Sequence, residues 1–319
     1  MREHPVPVAS GVAPAVALLA GVCGAIQPKI NSVLAGRVGS ALPASLVNFT
    51  GALTVVAMVL VLRSGTRRTL RRLRSWPVPR VALTAGLGGA VIVTAGALAV
   101  DTIGVAVFAV AFFAGQITFG LLVDRLGVAP GGRRPVTAAR LQAALTAMAA
   151  VAVSQIGRPF GDFAPALVAL SILAGAAFAL QSAFNGRIAA ATGDAFAATA
   201  VNVTVGTAAV GAIVLAFAGA GRIDAPDWPT QPWLYLGGVL GVTVVFSLAL
   251  ATPALGVLRA TLAMLAAQLV TAFAVDWAVE NQEPTPGAVA GAVLIVAAVW
   301  LVGRRPRARL DAPGRTAGT

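Results

Sequence analysis

A 39-residue stretch occurs twice in this chain, and nothing else limits its fold so sharply. Leu18 to Val56 aligns without a gap onto Ile172 to Val210, an offset of 154 residues, with 14 of 39 positions identical. The identities include polar ones: Gln27 with Gln181, Asn31 with Asn185, Asn48 with Asn202, Thr50 with Thr204. Shared Ala or Leu carries little weight in an apolar chain. A shared Gln-x-x-x-Asn with a further Asn 17 residues on is hard to obtain by composition. At an offset of 152 the correspondence continues: Gly86 with Gly238, Gly89 with Gly241, Gly104 with Gly256, Gln116 with Gln268, Asp124 with Asp276. The short turns Asp101–Gly104 and Thr252–Gly256 also correspond.

Composition decides where such halves can live. The 319 residues are 58% hydrophobic and only 11% charged, against about 25% charged in soluble domains. Apolar runs of about twenty residues recur along the whole chain, the length that crosses a bilayer as a helix. The runs are solidly apolar rather than alternating, which favours helices over a barrel. Ten spans are predicted, at about 13–35, 41–62, 81–100, 104–123, 137–157, 165–187, 195–218, 232–252, 255–276 and 286–303. The first half is residues 1–158, the second 159–303, and 304–319 form a basic tail. No cleavable leader is read at the N-terminus, and Cys23, the lone cysteine, excludes an intrachain disulfide.

Charge separates cleanly between the loops. The loop after the second span carries Arg63, Arg67, Arg68, Arg71, Arg72, Arg74 and Arg80; the loop after the fourth carries Arg125, Arg133, Arg134 and Arg140. The tail adds five more arginines, whereas the opposite side holds only Arg37, Arg158 and Arg222. Cytoplasmic loops collect Arg and Lys, so both termini are expected in the cytoplasm. The net charge of +12 thus reports topology, not nucleic-acid binding. Five spans per half is an odd number, so the second half enters the membrane inverted. Inverted repeats are a carrier architecture, because the halves can exchange conformations and open to either side.

Each half opens with a helix ending G-x-x-x-A-x-Q-x-x-x-N. That pattern on two five-helix halves resembles the drug/metabolite transporter superfamily, and within it the YdcZ-type inner-membrane exporters. The resemblance covers about residues 13–303. It implies a plasma-membrane carrier with a central cavity lined by helices 1–4 and 6–9, and helices 5 and 10 at the periphery. It supplies no substrate.

Gln27 and Asn31 stand four apart, on one helix face, and Gln181 and Asn185 repeat them. A primary amide offers two donors and two acceptors without a buried charge. These four, with Gln116 and Gln268, are the candidate substrate-binding residues; the alternative is that they bond helix to helix. Asn48 and Asn202 are read as such fasteners. Lys29 is nearer the opposite face from Gln27, and either anchors an anionic group or snorkels to the headgroups. Asp124 and Asp276 either gate the path or end their helices. No acid lies mid-span, which disfavours carboxylate-coupled export of lipophilic cations. The chain holds no metal-ligand cluster, phosphate-binding loop or activated nucleophile, so neither an enzyme nor a bound cofactor or metal is expected. The expected partners are a small-molecule substrate and the lipid bilayer, and pairing of two copies is left open. The function expected is a secondary-active exporter of small polar or amphipathic metabolites working by alternating access. A non-transporting scaffold or partner subunit on a carrier fold is the alternative.

Overall fold

The computed structural model describes residues 12–71, 75, 78–154, 156, 164–223, 227–280 and 286–303. Every regular element among them is helical. Ten α-helices follow one another: α1 Val12–Val38, α2 Ala41–Leu62, α3 Ser64–Arg71, α4 Leu87–Leu126, α5 Ala138–Ser154, α6 Pro165–Thr192, α7 Ala195–Gly219, α8 Gly237–Leu255, α9 Val257–Glu280 and α10 Pro286–Gly303. Among the described residues six segments are long and apolar enough to cross a membrane: α1, α2, α6, α7, Val107–Leu126 and Pro232–Leu255. Four shorter apolar helices lie at Arg80–Gly96, Ala138–Val153, Val257–Ala272 and Val289–Ala298. The chain is a multi-pass helical membrane protein. The arginines of the tail, Arg158 and the side chains of Asp101 and Asp276 lie outside the described residues.

Helices stand at the expected positions, six of the segments long enough to cross, and α3 and α4 depart from the expected layout. α3 is no span: it is an eight-residue basic helix whose Leu70 packs under α2 and α7. α4 instead covers two expected spans, with helical hydrogen bonding through the turn predicted at Asp101–Gly104. A straight helix of 40 residues would run about 60 Å. This one folds back. A Cβ on Gly88, near its start, would sit 2.6 Å from Gln181 Oε1, and Val123, near its end, joins Ala179 and Ala183 in one apolar cluster. A Cβ on Gly96 would lie 3.8 Å from Phe108 Cζ, although twelve residues of straight helix span about 18 Å. In the second half the corresponding turn breaks the helix outright. Pro253 stands there in place of Asp101, and Gly256 takes φ +79°, a conformation that terminates α8.

Helix ends follow local chemistry. α6 starts on Pro165, where a missing N–H costs nothing, and ends at Gly193 in the left-handed region. α7 starts from Asp194, whose carboxylate accepts from the amides of Phe196 and Ala197 at 2.9 and 3.2 Å. Two 3-10 turns, Arg80–Thr84 and Pro232–Tyr235, precede α4 and α8 at the 152-residue offset of the duplication.

The halves interlock through glycines. A Cβ on Gly21 of α1 would lie 2.9 Å from the Gln268 amide nitrogen of α9; one on Gly175 of α6 would lie 2.7 Å from that of Gln116 of α4. Likewise Gly86 meets the backbone of Asn202 and Gly206, and Gly238 that of Asn48 and Ala52. Small residues allow such close backbone approach where lipid supplies no hydrophobic drive between helices. α5 and α10 pack side by side on α4 and α9, around Ile117, Leu121, Leu262 and Ile295.

Candidate functional site

The amides come together as two clusters, one between α1 and α2 and one between α6 and α7. On α1, Gln27 Nε2 donates to Asn48 Oδ1 of α2 at 3.3 Å. One turn along, Asn31 Oδ1 is buried without a hydrogen bond, against Gly237 at the start of α8. On α6, Asn185 Oδ1 accepts from Asn202 Nδ2 of α7 at 3.3 Å. Here Gln181 is the one whose Oε1 has no partner, facing Gly88 and Gly89 of α4. Gln268 Nε2 donates to the Gly24 carbonyl at 3.2 Å, tying α9 to α1. Gln116 is fully buried at the α4–α6 contact with neither amide atom bonded. Lys29 is exposed on another face of α1, and its carbonyl accepts from the Ser32 hydroxyl at 2.9 Å.

Two cavities open at one end of the bundle. The larger, about 670 Å³, lies between α2 and α7 and is largely apolar: Leu46, Thr50, Thr54 and Val214, with Trp228 and Tyr235 from the segment before α8. That volume is in the range of small-molecule sites. The smaller, about 330 Å³, is lined by Ser40, Thr94, Phe217 and Arg222, and the two share Ile223. None of the candidate amides lines either one.

The other end carries a charge cluster. Asp124, at the end of α4, is fully buried and pairs with Arg140 of α5. Its two oxygens accept from the first amides of α9, Val257 at 3.0 Å and Leu258 at 3.3 Å. An acid at a helix N-terminus satisfies amides that have no partner within the helix. Arg134 reaches the Pro253 carbonyl at 3.4 Å, and its own amide donates to the Asp124 carbonyl at 2.8 Å. Burial pushes the Arg134 guanidinium below its usual range; Asp124 opposes that, while Arg140 and Arg259 add to it. From α6, Arg187 binds the carbonyls of Gly127 and Val128. Of the two sequence readings of Asp124, a helix end or a gate, the structure makes it the cap of a different helix from its own. The sequence did not single out Arg140, Arg134 or Arg187 as its neighbours. The only signal was Asp124 itself, shared across the offset and placed beside the arginine-rich loop. Among the described residues no group of His, Cys, Asp or Glu could hold a metal ion.

The family model described as "Putative inner membrane exporter, YdcZ" matches the chain twice in tandem, over residues 12–153 and 166–301. A crystal structure described only as that of a protein superposes with a TM-score of 0.63, at 17% identity, over 92% of this chain and 95% of that one. At that identity the likeness is one of fold alone. No curated protein matches the sequence.

Proposed function

We propose that this chain, which belongs to the YdcZ exporter family, is a secondary-active carrier that exports small polar or amphipathic metabolites by alternating access. In this reading it has ten spans in two inverted five-helix halves, residues 1–158 and 159–303, with both termini cytoplasmic. The observation that carries it is the matched pair of interlocks: Gly21 under the backbone of Gln268, and Gly175 under that of Gln116. Equivalent helices of the two halves meet through equivalent residues, as an exchange of conformations between halves requires. Two cavities at the arginine-poor end and a hydrogen-bonded charge cluster at the other are what one access state would look like. Gln27, Asn31, Gln181, Asn185, Gln116 and Gln268 line the path in this reading, with Lys29 at its edge.

The test is flux. Gln27→Ala and Gln181→Ala should each lower transport several-fold in vesicles loaded with a metabolite panel while the protein still accumulates in the membrane. Normal flux in both would sink the assignment of these residues. A non-transporting scaffold is the second reading, favoured by the amides filling helix contacts rather than lining a cavity. Cysteines at positions 27 and 181, in a Cys23→Ser background, separate the two: reagent reaches them in a carrier and never does in a scaffold.

A further inference from the structure

The two halves do not pair their amides in the same way. In the first, the α2 asparagine, Asn48, bonds the glutamine of the Gln-x-x-x-Asn motif, Gln27. In the second, the α7 asparagine, Asn202, bonds the motif's asparagine, Asn185, one helical turn further along. Each half leaves the other acceptor unbonded: Asn31 Oδ1 in the first, Gln181 Oε1 in the second. The alternative partner is close. A Cβ on Gly237 would strike both Asn31 Oδ1 and Asn48 Oδ1, so these two amides already share one small space. A side chain on that glycine would fill it.

Resting on the carrier reading above, we infer that Asn48 and Asn202 are exchange residues that mark the two access states. In the state described here the bonds are Gln27–Asn48 and Asn185–Asn202. In the opposite state each half takes the other's arrangement, Asn31–Asn48 and Gln181–Asn202. Inverted halves of equal energy in exchanged shapes require this swap, and both partners sit on one face of α1 or α6, a turn apart. A step of about one turn between packed helices is an established way for a bundle to hold two discrete states. Amides suit it because they trade one neutral hydrogen bond for another, so no charge is stripped of solvent midway. The repeat of Gln-x-x-x-Asn and of the asparagine 17 residues later thus has one cause: both halves need both partners.

The test uses two reporter cysteines in the full-length protein with Cys23→Ser. Thr50→Cys lies on the cavity at the arginine-poor end, and Thr252→Cys is fully buried beside Gly186 at the other. Gln27→Leu removes a bond of the state described here, so Thr252→Cys should label about three- to tenfold faster relative to Thr50→Cys, the worth of one interhelical hydrogen bond. Asn31→Leu removes a bond of the opposite state and should slow it by a similar factor. Asn185→Leu should act like Gln27→Leu, and Gln181→Leu like Asn31→Leu. Opposite shifts from residues one turn apart are not expected of plain fasteners. Shifts in one direction, or none, overturn the exchange. So does failure of all four variants to accumulate, since an exchangeable bond is dispensable for folding. If Thr252→Cys is never labelled with the amides intact, under any gradient, the carrier reading itself fails.

Discussion

The carboxylate of Asp124 caps Val257, 133 residues away, accepting its backbone N–H at 3.0 Å. One residue from each copy of the duplication is thereby joined at the end of the molecule that carries Arg134, Arg140 and Arg187. Removing the carboxylate leaves a buried guanidinium and two helix-terminal amides without their acceptor. Asp124→Ala should cost about 3–5 kcal/mol, the usual cost of breaking a buried pair from one side. Thermal unfolding of the purified protein reads this as a Tm lower by many degrees, and an unchanged Tm would show that the cap contributes nothing.

The two arginines of that cluster should not be equivalent. Arg140 answers the Asp124 charge directly, whereas Arg134 is half-buried and only partly compensated. Arg140→Gln should therefore lower Tm more than Arg134→Gln. Since the folded pKa of Arg134 lies below its unfolded value, the linked stability rises with pH only as pH passes upward between the two. An arginine keeps its charge throughout the neutral range, so Arg134→Gln should leave the pH profile of Tm unchanged across about pH 5 to 9. A profile that changes there would contradict this account.

The glycine interlock makes a sharper contrast. A Cβ on Gly175 would strike the Phe112 carbonyl, while one on Gly36 meets nothing within 4 Å. Gly175→Ala should destabilise by about 1–3 kcal/mol, as overpacking does. Gly36→Ala, in a helix with open space, should be neutral or stabilising by up to about 1 kcal/mol. The comparison is made by Tm in one detergent, and equal effects would disprove the close packing of α4 on α6.

The arginine distribution predicts an orientation that can be tested. A reporter fused after Thr319 should read cytoplasmic, and an impermeant thiol reagent added outside intact cells should label Thr54→Cys, an exposed position on the larger cavity. A periplasmic tail would reverse the assigned orientation.

Much of the helical layout was legible because lipid imposes a simple rule: each crossing must bond its own backbone over about twenty apolar residues. α1, α2, α6 and α7 stand where apolar length placed them. The sequence predicts a turn at Asp101–Gly104 between two spans, yet helical bonding runs through it. Whether a tight turn keeps its ladder depends on single residues, and only the second copy carries Pro253. Asp124 was visible as a shared acid near a helix end. Its partners were not, because Arg140, Arg134 and Val257 approach it from three separate segments that no spacing rule connects.

Duplication, helical multi-pass character and the identity of the repeated amides can all be read from the residues in order. Those are properties of composition and self-similarity, and both are local to the chain. Which amide bonds which is set by packing between helices. Gln27 and Asn31 have the same chemistry on the same face, and so do Gln181 and Asn185. The choice between them rests on how far α2 and α7 stand along α1 and α6, a relation between packed helices that no single helix encodes.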